Sequence, residues 1–389
     1  MKSMLIDTTG KLQDVCSQLL MSCPKFIAVD TEFIRNCNEY YPRLSLIQIA
    51  WSKGKCVIDV LADDIDLSVL ESIFYNKEIV KIFHDCKQDI DALLTKFPRI
   101  PYPIFDSQIA AMFCAYYDNA VGYSKLVAQF LDVSLDKLTL KRSNWLMRPL
   151  SDDKIQYALD DVVYLYELYQ VLYDNLISSK RLLWFLEEMS NIVKQEASYG
   201  NIYDISDFPS EVTKDEIIIS WSIVEWREKL AKYFNVNRDF VLKNKAIPYL
   251  AKDLVGKSDI SILKKYIKKE YLLHDTTFDV FQIISNNQSI DVGGLSSVTS
   301  NNNKSVLNIL LILLYNICYE NNISQKLVCS KGSLIRFLNG KSSYVMTGWR
   351  YEFFGCKIEK FMQGKSKIIV SAQALNNQCV DIVTTLSEM

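Results

Sequence analysis

Apolar and polar positions divide this chain into two kinds of pattern. The first region alternates short apolar runs with helical periods, as α/β folds do. FIAVD (Phe26 to Asp30) is a five-residue apolar run closed by an acid. SLIQIAW (Ser45 to Trp51) and KCVIDV (Lys55 to Val60) follow, and SKGK between them reads as a hairpin turn. IVKIFHD (Ile79 to Asp85) predicts a fourth strand and IFDS (Ile104 to Ser107) a short fifth. Three strands in quick succession, then strands separated by helices, imply a mixed sheet. A long helix is expected from Ser151, an N-cap residue type, with Asp152 and Asp153 in the first turn where the helix dipole favours negative charge. It runs to about residue 178, and a second apolar helix covers about 180–198.

YGNIYDISDFPSE (Tyr199 to Glu211) has turn formers and no helical period, which places a domain boundary there. From about residue 214 the pattern is helical throughout. VGGLSSVTSNNNKS (Val292 to Ser305) reads as a linker, and a third helical region spans about 305–366. KIIVSAQAL and CVDIVTT flank NNQ near the end and suggest a terminal β-hairpin.

Composition narrows the class. With 389 residues, 49% hydrophobic and 23% charged, the chain can bury the cores of two or three domains. Only two histidines occur, His84 and His274, so a multi-histidine metal site is excluded and hydrolytic chemistry falls to carboxylates. The ten cysteines include no CxxC pair and most lie in apolar runs, as reduced, buried thiols do. The first residues lack the apolar core of a signal peptide, and the stretch Val306 to Cys318 is too short to span a bilayer. A cytoplasmic protein with no membrane segment is expected. The net charge of −2 hides an asymmetry. Residues 1–180 carry 19 Lys/Arg against 24 Asp/Glu, residues 227–273 carry 12 against 5, and residues 304–367 carry 10 against 3.

Three groups of acids carry candidate chemistry. Asp30 and Glu32 lie two apart on an extended segment, so they share a face and repel unless a cation lies between them. In FHDCKQDIDALL, Asp85, Asp89 and Asp91 cluster where a strand gives way to a helix, and spacing alone leaves all three open. In YALDD, Tyr157 and Asp161 are i and i+4 on one helical face, while Asp160 points about a hundred degrees away.

Together these elements resemble the ribonuclease D branch of the DEDD exonuclease superfamily. DTEF (Asp30–Phe33) with the YYPRLSLIQ strand is similar to its first motif, HDCKQDI to its second, and Y-x-x-x-D (Tyr157, Asp161) to its tyrosine-type third. FDSQIAA, GYSKLVAQFLDVSLDK and WLMRPLS match its connecting pieces, so the resemblance covers about residues 20–195. It implies an α/β ribonuclease H-like exonuclease domain over 1–205, a mixed five-stranded sheet flanked by helices. It selects Asp89 from the three acids of the second motif. It further implies two divalent cations, Mg²⁺ or Mn²⁺, held by Asp30, Glu32, Asp89 and Asp161, with Asp30 bridging them. An unperturbed tyrosine pKa of about 10 is too high for a general base, so Tyr157 is assigned to orienting the nucleophilic water.

The rear half adds a second likeness. WREKLAKYFNVNRDFVLKNKAIPYLAK (Trp226 to Lys252) resembles the helicase-and-ribonuclease-D C-terminal (HRDC) domain, expected over 212–291. A second HRDC-like helical domain is expected over 305–368, and a tail over 369–389. The fold class is thus an α/β exonuclease domain followed by two all-α HRDC-like domains. Lys264, Lys265, Lys268 and Lys269 fall on adjacent helical positions, a basic stripe suited to phosphates. The resemblance implies a monomeric 3′→5′ exoribonuclease without a nucleotide cofactor, acting on RNA with a free 3′ end, tRNA precursors above all. A DNA-directed exonuclease of the Werner-helicase type shares the same catalytic set. A catalytically silent adaptor would lack one of its members, and none is missing.

Overall fold

The computed structural model describes residues 4–114, 120–135, 143–195, 213–272, 276–287, 301–340, 343–366, 369–370 and 382–383. The chain divides into two compact units, the first ending at Glu196 and the second beginning at Ala197. The boundary expected at residues 199–211 lies outside the described residues.

The first unit is built on one sheet. Its strands are β1 (Met4–Ile6), β2 (Phe26–Ile34), β3 (Arg43–Trp51), β4 (Gly54–Asp59), β5 (Val80–Phe83) and β6 (Ile104–Asp106), in the order β1-β4-β3-β2-β5-β6. β2 pairs antiparallel with β3 and parallel with β5, so the sheet is mixed. It has six strands rather than the five expected. The extra one, β1, is three residues long, has no readable alternation, and gains its place only by pairing in parallel with the edge of β4. Ile27, Ala28 and Val29 of β2 are fully buried, as befits a central strand covered on both faces.

Helices α1 (Thr9–Met21), α2 (Glu71–Phe74), α3 (Lys87–Leu93), α4 (Ser107–Cys114), α5 (Tyr123–Leu131), α6 (Asp152–Ser178) and α7 (Leu182–Gln195) complete this unit. α6 starts where the sequence places it, with the Ser151 hydroxyl accepting from the Lys154 amide. It packs its Ile155, Ala158 and Leu159 against Leu46 of β3 and Val57 of β4.

One buried charge braces the sheet at the far end of β5 from its exit into α3. Lys81 is fully buried, and its ammonium donates to the carbonyl oxygens of Asn76 (2.7 Å), Ile79 (2.7 Å) and Tyr102 (2.6 Å). Methionine has similar bulk and no donor, so Lys81→Met removes the donor from three carbonyls, one buried and two part-buried. Chemical denaturation is expected to show a loss of about 3 kcal/mol; an unchanged midpoint would refute this bracing role.

The second unit is helical, as expected. It opens with α8 (Lys214–Phe234), capped by Thr213 and Glu216 in a reciprocal box. α9 (Arg238–Val241), α10 (Ile247–Leu254), α11 (Ile260–Leu263), α12 (Lys269–Leu272) and α13 (Thr276–Asn287) follow. The W-R-E opening turns inward: Trp226, Arg227 and Glu228 are all fully buried. Arg227 donates to the Leu242 carbonyl (3.0 Å) and the Asn244 amide oxygen (2.6 Å), and Arg238 donates to Glu228 at 2.6 Å. α14 (Asn301–Glu320) carries the apolar stretch expected to be a buried helix, and its first five residues fall inside the segment read as a linker. Asparagine costs only a few tenths of a kcal/mol in a helix, so the apolar helix extends back through the Asn run. Ile369–Val370 and Ile382–Val383 pair antiparallel; the residues between them lie outside those described. Among the described residues no helix is long and apolar enough to cross a membrane.

Candidate active site

The carboxyl ends of β2 and β5 open onto a cleft of about 670 Å³ that Asp30, Glu32, Tyr157, Asp161, His84 and Trp145 help to line. β2 presents Asp30 and Glu32 two residues apart, both half-buried, and α6 presents Asp161 across from them. One carboxylate oxygen from each of Asp30, Glu32 and Asp161 lies within 4.8 Å of the other two. Immediately after Glu32 the β2–β3 register shifts, a bulge of the kind that re-aims a strand beside a site.

Asp89 stands beside this triplet rather than in it. β5 ends at Phe83, the backbone turns through Asp85 with a positive φ of 58°, and α3 begins, placing Asp89 in its first turn. Asp89 is buried and accepts a hydrogen bond from the Thr31 hydroxyl at 2.5 Å. Burial, and then the negative charge of Asp30, push its carboxyl well above the usual carboxylate range. Asp85 and Asp91 are exposed, and Asp91 forms a surface ion pair with Arg35 at 3.3 Å. Burial therefore separates three acids that spacing could not. Asp160, expected to point away, accepts from the Gln156 amide on the exposed side of α6 at 2.7 Å.

Tyr157 lies half-buried on the cleft wall, its ring 5.9 Å from that of Trp145. Burial, then the charges of Glu32 and Asp30, push its phenol up to about 12. A phenol so raised holds its proton near neutral pH.

Five supporting residues were not singled out by the sequence reading. Asp106, almost fully buried at the end of β6, accepts from the amides of Cys86 (2.8 Å), Gln108 (2.8 Å) and Ile109 (3.0 Å), and from Asp85 at 3.3 Å. It thus ties the turn that presents Asp89 to the start of α4. The Asp-Ser-Gln order before an apolar helical run was a readable cap signal. His84 bonds through Nδ1 to the Ser107 hydroxyl at 2.9 Å, with its ring edge-on to Tyr123. Tyr123 donates to the Asp161 carbonyl at 2.6 Å, fixing the turn of α6 that carries that acid. Trp145 sits on a segment held by Arg148, which clamps Asp59 through two contacts of 2.6 Å and also donates to the Trp145 carbonyl at 2.7 Å. Arg148→Ala leaves the nearly buried Asp59 without its counter-ion; a loss of about 3 kcal/mol in chemical denaturation is expected, with reduced turnover as the Trp145 wall loosens. Wild-type stability would contradict this.

In the second unit, all four lysines singled out are exposed, but they do not share one helix. α11 ends at Leu263, Lys264 and Lys265 lie in the following turn, Lys268 precedes α12, and Lys269 opens it. The break buries Ile267 between them. Lys265 lies 3.8 Å from Asp253, and Lys268 lies 3.8 Å from Glu270.

Comparison with known proteins gives a consistent result. A family model described as 3′-5′ exonuclease matches residues 4–177. The ribonuclease D of Bartonella henselae is 30% identical, with 96% of this chain and 93% of that protein aligned. The ribonuclease D of Acidiphilium cryptum is 28% identical over 97% of each chain. Among solved structures, Escherichia coli RNase D, an exoribonuclease involved in structured RNA processing, shares the fold: the TM-score is 0.72 at 23% identity, covering 94% of this chain and 99% of that one.

Proposed function

The chain belongs to the ribonuclease D family of 3′→5′ exonucleases, and from that premise we propose that it trims RNA from the 3′ end, with tRNA precursors as its principal substrates. The observation that carries this reading is the carboxylate triplet of Asp30, Glu32 and Asp161 beside Tyr157.

The residues present suit hard divalent cations. All the donors are carboxylate oxygens, which match Mg²⁺ or Mn²⁺, and three of them converge within 4.8 Å, where their mutual repulsion calls for a cation. Asp30, Glu32 and Asp161 would hold one ion, with Asp30 and Asp89 serving a second. Bound there, such ions would lower the pKa of a water and neutralise charge on the scissile phosphate. Tyr157 keeps its proton and orients the attacking water through its hydroxyl. Thr31 fixes Asp89, and Tyr123 fixes the backbone at Asp161. Hydrolysis breaks the bond between phosphorus and the penultimate O3′, so nucleoside 5′-monophosphates leave one at a time.

The exposed Lys264, Lys265, Lys268 and Lys269 would hold the RNA backbone, a contact that is salt-sensitive and indifferent to sequence. Matched RNA and DNA oligonucleotides, each with a free or a blocked 3′ end, test the reading with Mg²⁺ or Mn²⁺ present. Digestion of free-ended RNA ahead of DNA, slowing between low and moderate salt, is expected. Equal or faster digestion of DNA would favour the DNA-directed reading, and no digestion of either would leave a binding adaptor.

A further inference from the structure

Gln48 lies at the centre of β3 and is fully buried, yet neither its amide nitrogen nor its amide oxygen has a hydrogen-bond partner among the described residues. Buried amides are seldom left so, because the group gives up its bonds to water and gains nothing in return. Its surroundings show where a partner can lie. Gln48 is paired directly with Asp30 on β2 and with Val57 on β4. Directly opposed residues of antiparallel strands point to the same face, with Cβ atoms about 5 Å apart. Val57 and Leu46 on that face are packed against Ala158 and Leu159 of α6, the helix that carries Tyr157 and Asp161. Along β3 the same-face neighbours are Leu46 and Ala50, both apolar. The polar groups next to the amide across β2 are therefore the acids of the site, with Asp30 directly opposite.

We infer that Gln48 is a positioning residue for Asp30, its amide N–H steadying the carboxylate, directly or through one water, in the orientation that receives a divalent cation. The inference rests on the reading of Asp30 as a metal ligand. Donors behind metal-binding carboxylates commonly change metal affinity or activity by 10–100-fold when removed. An amide kept in an apolar layer at a cost to stability fits a group retained for the site rather than for the fold.

Gln48→Met separates the two roles, because methionine fills the same space without polar atoms. Three quantities are measured on the full chain: the melting temperature without metal, Mn²⁺ affinity by calorimetry, and kcat at saturating metal. The metal-free variant is expected to melt cooperatively as wild type does, to bind Mn²⁺ about tenfold more weakly, and to turn over at least tenfold more slowly. Affinity and kcat within twofold of wild type would overturn the inference. If Gln48→Met does not fold, Gln48→Leu carries the same comparison. Wild-type protein that binds no Mn²⁺ would instead defeat the underlying reading of the site.

Discussion

Asp30→Ala is expected to abolish hydrolysis, lowering single-turnover rates by roughly 10³-fold or more, the scale on which preorganised electrostatic groups act. Asp30 belongs to the triplet with Glu32 and Asp161, and its charge also reaches Asp89. Asp30 thus acts on both groups, so its loss cripples both halves of the proposed two-ion site together. The same substitution removes a repelling charge, so the metal-free variant should melt no lower than wild type while losing its metal-induced rise in melting temperature. Turnover within tenfold of wild type would exclude Asp30 from the centre of the reaction.

Tyr157→Phe is expected to lower kcat about 10²-fold while leaving metal affinity and folding unchanged. Phenylalanine keeps the ring that packs beside Trp145 and loses only the hydroxyl. Because the phenol is pushed up to about 12, it stays protonated through neutral and moderately alkaline pH. The variant should therefore be slower at every pH yet show the wild-type shape of its pH–rate profile up to about pH 10. A break near neutral pH that vanishes in Tyr157→Phe would mean that the tyrosine does transfer a proton.

Much of the site was legible because it follows local periods. Asp30 and Glu32 share a face by the twofold period of a strand, and Tyr157 and Asp161 by the i,i+4 period of a helix. The structure brings Asp30, Glu32 and Asp161 together from those two elements. Asp89 was different. Its neighbours Asp85 and Asp91 are equivalent to it by spacing, and only burial against Thr31 sets it apart. Burial belongs to the tertiary fold, which is why family resemblance had to select it. Asp106 and Gln48 were missed for the same reason: one acts through backbone amides of a distant turn, and the other through its partner in strand register. Local signals also misled. The lysines at 264–269 follow a helical count, but the chain breaks there to bury Ile267. β1 left no pattern because three residues are too few to show an alternation.

Digestion of a tRNA carrying a 3′ extension, with the products identified, tests the central claim most directly. In Mg²⁺ or Mn²⁺ the account predicts nucleoside 5′-monophosphates released one at a time from the 3′ end, and no reaction when the metal is chelated. Release of oligonucleotides or 3′-phosphates, or hydrolysis that persists in chelator, would contradict it.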